Sequence, residues 1–258
     1  AICPSCGSLK FTHRGFGTEK VMESLRLANP KLRLSKFDRD EITTLTKLEE
    51  TLHNFHDGNI DVLVGTQMLV KGHNFKRVNL VVVLGIDSQF NFPDFRANEH
   101  AFQTLMQISG RAGRYSEKSM VLVPTLNPQN EIFKLVQDNH YKKFYQDELE
   151  FRSMMNDPPN SFLVQFLFIS KNQNTLMEEI HREADRLKDF LKSDAHKIEL
   201  LGPIPTAIEK RVNKYSWYFL LKAKEREILY RTINSFKMNV KLSKTVEYRI
   251  IVDPLKFG

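Results

Sequence analysis

Cysteine is almost absent: Cys3 and Cys6 are the only two in 258 residues, which excludes a disulfide framework. No apolar run approaches the roughly 18 residues that a membrane-crossing helix requires, and the longest, 79–86 and 162–169, are strand-length. The start, Ala1-Ile2-Cys3, has no Met, no basic segment and no apolar segment, so no secretory or transit signal is read there and a soluble piece of a longer protein is expected. No GxxxxGK[ST] string occurs, which excludes an unaided cradle for nucleotide phosphates and magnesium. Glycine and proline are modest at 11 and 10, with 41% hydrophobic and 27% charged residues; this composition excludes disorder and supports a buried core. Internal repeats and low-complexity tracts are missing as well.

What is present begins with charge. The net charge is +7, and it is unevenly placed: residues 1–150 are close to balanced, whereas residues 151–258 carry 19 Lys and Arg against 13 Asp and Glu. A basic second part suits an acidic partner, most simply nucleic acid, although a basic surface also serves solubility. At about 150 residues per domain, 258 residues favour two domains.

The patterning is α/β throughout. Helical spacing is read over 17–28, 43–55, 97–108 and, as one long helix, 127–155; strands are read at 32–37, 61–65, 79–87 and 120–125. Asn79–Asp87 is an almost continuous β-branched run, the pattern of a parallel strand buried on both faces. After Asp157-Pro158-Pro159 the pattern restarts as strand 162–169, helix 176–191, strands 198–201 and 217–221, helix 225–236 and strand 246–252. That β-α-β-β-α-β order predicts a small ferredoxin-like domain over 157–258, following a parallel-sheet α/β domain over 15–156 and a short leading segment over 1–14.

Four motifs carry chemistry. Cys3-Pro-Ser-Cys6 has the spacing of one edge of a zinc site, with His13 the only nearby third candidate; the pair is half of a tetrahedral site or two idle thiols. Gly65-Thr66-Gln67-Met68-Leu69-Val70-Lys71-Gly72-His73 follows a strand directly. Its amides, the Thr66 hydroxyl and Lys71 are suited to a phosphate or a nucleic-acid backbone at the carboxyl end of a sheet, or the Gly-Thr pair is only a tight turn. Gln107-Ile-Ser-Gly110-Arg111-Ala112-Gly113-Arg114 brings two arginines together at the end of a helix, the side chain suited to charge developing in phosphoryl transfer; the alternative is a basic surface turn. Lys210, Arg211 and Lys214 precede Tyr215, Trp217 and Tyr218, an interleaving that can hold single strands, while alternation along the strand sends one of the aromatic sets into the core.

Together these strings resemble the second RecA-like lobe of superfamily 2 helicases. The narrower resemblance, to the bacterial PriA primosomal helicases, covers essentially the whole chain. It rests on Cys3-Pro-Ser-Cys6-Gly7, Gly15-Phe16-Gly17-Thr18-Glu19, Gly65-Thr66-Gln67-Met68 with Lys71-Gly72-His73, Pro93-Asp94-Phe95-Arg96, Gly110-Arg111-Ala112-Gly113-Arg114, Pro158-Pro159 after Arg152, Gly202-Pro203 and Asp253-Pro254. Ser119 and Pro124-Thr125 depart from that pattern, which reads Gly and Gln-Thr there.

The resemblance implies an ATP-dependent 3′-to-5′ DNA helicase for replication restart, with ATP and Mg2+ held mainly by another lobe and Arg111 and Arg114 as arginine fingers supported by Gln107. It further implies DNA contacts at Gly17, Thr18, Gly65, Thr66 and Lys71, and Cys3 and Cys6 as the last pair of a zinc insertion; His73 orients the loop or is an ordinary buried histidine. Implied partners are single-stranded and forked DNA, single-strand-binding protein and primosome loading proteins, in a bacterial cytoplasm with no membrane. An adaptor module without catalysis, or a lobe of another superfamily 2 translocase, remains open at this stage.

Overall fold

The computed structural model of the chain describes residues 17–38, 41–66, 78–112, 119–255 and 257, with only the backbone of Arg111 and Ala112. The chain divides into two compact units, Ala1–Phe92 with Ala97–Tyr141 and Pro93–Arg96 with Lys142–Gly258. Among the described residues no helix is long and apolar enough to cross a membrane.

Among the described residues the first unit holds two parallel strand pairs. Strands β1 (Leu34–Phe37) and β2 (Val62–Gly65) pair with Phe37 opposite Gly65. Helix α1 (Thr18–Ala28) precedes β1 and packs against both strands, and helix α2 (Leu45–His56) forms the crossover. The register is held by Arg33, whose Nε, Nη2 and backbone N–H all donate to Asp61 at 2.6–2.9 Å; those hydrogen bonds hold the Asp61 carboxyl down to about 2. Strands β3 (Leu80–Val82) and β4 (Met120–Leu122) form the second pair, with α3 (Ile86–Phe90) and α4 (Ala97–Ala112) between them. Helix α4 packs through Ala97, Ala101, Phe102, Leu105 and Ile108, a stripe at helical spacing. Asp87 ties this pair together, accepting from the Thr125 hydroxyl at 2.5 Å and from Leu126 N–H at 3.0 Å.

Two expectations are corrected here. The run 79–87 does not form one strand buried on both faces: β3 stops at Val82, Gly85 turns the chain with φ 76°, and α3 begins at Ile86. Leu80, Val82, Met120 and Leu122 are exposed, because β3 has a single strand partner and α4 covers one face of the pair among the described residues. The predicted long helix over 127–155 is two, α5 (Glu131–Gln137) and α6 (Tyr141–Met154). Asn139 adopts φ 55°, and the bonds from His140 N–H to Leu135 O at 2.8 Å and from Asn139 N–H to Val136 O at 3.2 Å close a Schellman cap. Asparagine tolerates the left-handed region better than most residues, so the apolar spacing continues while the helix stops.

In the second unit β5 (Phe162–Ser170) lies between β7 (Lys214–Ala223) and β8 (Val246–Val252), and β6 (Ile198–Arg211) pairs with the other side of β7, all antiparallel. Helices α7 (Gln173–Phe190) and α8 (Arg226–Asn239) complete two βαβ units, each split by a strand of the other, which is the ferredoxin-like arrangement. Strand β6 extends ten residues past the predicted Leu201 because the β6–β7 ladder continues, through register shifts, to Arg211 opposite Lys214. Both sets of β7 side chains are buried. Phe219 and Leu221 join Phe166, Phe168, Ile180 and Phe236 under the helices, with Phe166 stacked on Phe219 at 4.9 Å. Tyr218 and Leu220 face the opposite side, against Leu163, Phe257 and Phe95. Helix α6 ends in a second such cap, Asp157 N–H to Arg152 O at 2.7 Å with Asn156 at φ 50°, and a cis Pro158–Pro159 bond leads into β5.

Gly202 in β6 has φ 102°, and a Cβ there would lie 3.0 Å from Tyr218 O and 3.2 Å from Phe219 Cα. Conformation and space both require glycine. Gly202→Ala is expected to destabilise the protein by about 1–3 kcal/mol, read as a lower urea midpoint; an unchanged midpoint would show that the strand relaxes.

Candidate functional site

The carboxyl end of the β1–β2 pair gathers two of the motifs. Register sets Gly65 beside Phe37, and Asp38, the next residue after β1, lies 3.4 Å from the Thr18 hydroxyl that opens α1. Gly17 is the N-cap of α1 with φ −64° and ψ 147° and offers no side-chain cap, which leaves first-turn N–H groups available to an anion. Thr66 is exposed just past β2. Lys36 Nζ lies 3.0 Å from Asp38 and 3.1 Å from Glu19; hydrogen bonds first to Asp38 and then to Glu19 hold its ammonium above the ordinary lysine range. The Asp38 carboxylate, 8% exposed, would by itself repel a phosphate, and Lys36 offsets it. Lys36 is not among the residues expected from the sequence, because a lysine inside a four-residue strand has no spacing signature; its place at a carboxyl strand end was the available signal.

The arginine motif starts inside a helix. Gln107 is exposed on α4, and Arg111 follows one turn later along the helix backbone. Gly110 is helical, not a turn, and among the described residues nothing beyond its own stretch of helix lies within 4 Å of where its Cβ would be. Arg114, Lys71, His73, Cys3, Cys6 and His13 lie outside the described residues, as does the Arg111 side chain. The structure therefore brings Gly17, Thr18, Gly65 and Thr66 together and positions Gln107 and the Arg111 backbone on α4. Elsewhere among the described residues no group of three or more His, Cys, Asp or Glu side chains could hold a metal.

In the second unit Lys210, Arg211 and Lys214 flank the tip of the β6–β7 hairpin. Lys210 Nζ lies 5.0 Å from the centroid of the Tyr215 ring, and Lys214 Nζ lies 3.1 Å from Glu247. Trp217 is half-buried and belongs to the scaffold: its Nε1–H donates to Glu209 at 2.9 Å, as does Gln173 Nε2–H. The tip thus presents cations on a braced strand pair, an arrangement able to hold phosphates without aromatic stacking from Trp217.

Comparison with known proteins finds two family matches along the chain. Residues 12–116 match the family described as the helicase conserved C-terminal domain, and residues 153–255 match the primosomal protein N C-terminal domain. The replication restart protein PriA of Borreliella burgdorferi is 30% identical over 255 residues, 98% of this chain and 38% of that protein. That of Synechocystis is 36% identical over 86% of this chain and 26% of its own length, and that of Haemophilus influenzae 32% identical over 97% and 34%. The chain thus spans between about a quarter and two fifths of the relatives it matches.

Because Gly110 occupies a position in α4 that is open among the described residues, alanine there should raise stability by about 0.5–1 kcal/mol through helix propensity. Chemical denaturation of Gly110→Ala measures this directly; a loss of stability would reveal packing against that position.

Proposed function

The chain belongs to the PriA family of replication restart proteins, and from that premise we propose that it supplies the second motor lobe and a DNA-holding C-terminal domain to an ATP-dependent 3′-to-5′ DNA helicase. The observation that carries the proposal is the meeting of Gly17, Thr18, Gly65 and Thr66 at one carboxyl strand end, in the unit whose α4 leads into the Gln107–Arg114 motif. In this reading the α1 amides, Thr66, Lys36 and Lys71 contact phosphates of a single strand. Arg111 and Arg114, with Gln107 in support, reach toward a nucleotide held by another lobe. ATP and Mg2+ belong to that lobe, because no GxxxxGK[ST] string is present. Cys3 and Cys6 have the thiolate chemistry and spacing of half a tetrahedral zinc site, to be completed by further ligands of the longer protein. Single-stranded and forked DNA, single-strand-binding protein and primosome loading proteins are the proposed partners, in a bacterial cytoplasm.

The division of labour has a direct test. The chain alone is expected to show no DNA-stimulated ATP hydrolysis. In the full-length protein Arg114→Ala should lower turnover by about 10³-fold, on the scale typical of arginine fingers, with the fold intact by circular dichroism. Near-normal turnover would remove Arg114 from that role, and an ATP-independent protein that still bound DNA would favour an adaptor.

The C-terminal basic tip has its own test. Each phosphate contact on a single strand contributes about 0.7 to the slope of log affinity against log salt, so replacing Lys210, Arg211 and Lys214 together with Ala should reduce the magnitude of that slope by about 2 and weaken binding. A triple variant that matches the parent across the salt series would make this tip a solvated surface.

A further inference from the structure

The tip of the β6–β7 hairpin carries features that folding alone disfavours. Val212 and Asn213 form the two-residue loop between Arg211 and Lys214, with φ 49° and 58°. A hairpin loop with two positive φ values is a type I′ turn, which asparagine and glycine enter readily and a β-branched residue does not. Asn213 fits that demand and Val212 does not. Val212 is also 89% exposed, so an isopropyl group is held in a strained conformation and in water at once. Ile208, 66% exposed, stands four residues before it, on the strand that leads into the loop.

The surroundings indicate what would cover this tip. Lys210, Arg211 and Lys214 flank it, and among the described residues Arg211 has no carboxylate within ion-pair distance. Behind the tip the hairpin is braced: Glu209 accepts from Trp217 and Gln173, and the Thr206 hydroxyl lies 2.9 Å from Ile208 O and 3.1 Å from Ser216 O. An aliphatic point ringed by cations on a stiff support matches a partner with an anionic exterior and a stacked apolar interior. Duplex DNA opened at its end offers both, and aliphatic wedges at base steps are a known way of using them. A bare single strand fits less well, since it favours aromatic stacking platforms, and the tip's nearest ring, Tyr215, is faced by Lys210.

We propose that Val212 is a wedge that presses on the terminal base pair at a duplex–single-strand junction, while Lys210, Arg211 and Lys214 hold the flanking phosphates. This rests on the DNA-holding role proposed above for the same domain and names the residue that would meet the junction of a forked DNA.

The test uses the 258-residue chain and a forked DNA carrying a fluorescent aminopurine in the terminal pair of its duplex arm, with Val212→Gly and Val212→Asn as variants. The parent is expected to raise the fluorescence at saturation and to prefer the fork over a single strand of equal length by about tenfold. Both variants should lose that rise and that preference, keep single-strand affinity within about twofold, and unfold about 2–4 °C higher because the strained residue is gone. Variants that retain the fluorescence rise and the preference overturn the wedge. So does a parent that binds DNA with neither effect, the outcome expected if the tip instead meets a protein. A parent with no DNA affinity in any form overturns the DNA-holding role itself and the wedge with it.

Discussion

The second unit depends on one guanidinium. Arg96 donates through Nε and Nη2 to both oxygens of Asp94, at 2.8 and 3.0 Å, and through Nη2 to Pro254 O at 3.0 Å, while Phe95 and Phe257 lie 4.5 and 5.5 Å from it as ring faces. A ferredoxin-like sheet covers one face with its own helices and leaves the other open. Here that second face carries Leu163, Tyr218 and Leu220, and it is closed by Phe95 and Phe257. Arg96 is what fastens Phe95, from the middle of the chain, and Phe257, from its far end, onto one surface. A lysine could not do this, because the planar fork, the bidentate carboxylate and the stacked rings all require a guanidinium.

That clamp explains why the sequence boundary at Pro158-Pro159 and the compact units do not coincide. A composition-based boundary follows linear order, and four residues embedded in the helicase-like part, Pro93–Arg96, pack with the later unit. Helix α6 belongs with that unit too: Arg152 lies 5.0 Å from the Phe95 ring and pairs with Glu148 at 2.9 Å. Buried Lys222 reaches back from β7 to Asp157 at 2.9 Å and to Met155 O at 3.0 Å. The Pro93-Asp94-Phe95-Arg96 string was legible as a motif, but nothing in a linear pattern shows which unit an exposed-looking Pro-Asp turn will join.

Legibility elsewhere followed the strength of the local signal. Strand β8 was read to the residue, because Val246, Tyr248 and Ile250 alternate with Glu247 and Arg249 between Lys244-Thr245 and Asp253-Pro254. The existence of helix α7 and the split β-α-β-β-α-β order were plain from periodicity, although the helix starts at Gln173, three residues before the expected 176. Helices α5 and α6 merged in the reading because the Schellman cap at Asn139 lacks the glycine that usually marks it. Strand β6 was read as too short because Pro203 and Pro205 look like breakers, yet an edge strand tolerates proline where its N–H faces outward. The glycine-threonine and arginine motifs were legible as strings, whereas Lys36 was not, since its value comes from Asp38 and Glu19 brought beside it by folding.

The two candidate surfaces differ in how they can hold an anion, and this bears on what each is for. At the β1–β2 end the donors are backbone amides and hydroxyls beside a compensated Lys36–Asp38 pair. Such a site favours one phosphate in one orientation, and small shifts of β1 against β2 would alter it. At the hairpin tip the donors are flexible side chains, with Lys214 shared with Glu247 and half exposed. That arrangement grips many backbone geometries and responds strongly to salt. The first kind of contact selects a geometry and the second retains an anion by charge. The partition of the chain's charge, nearly neutral through residue 150 and basic beyond it, follows that difference: geometric recognition needs little net charge, and retention by charge needs a surplus.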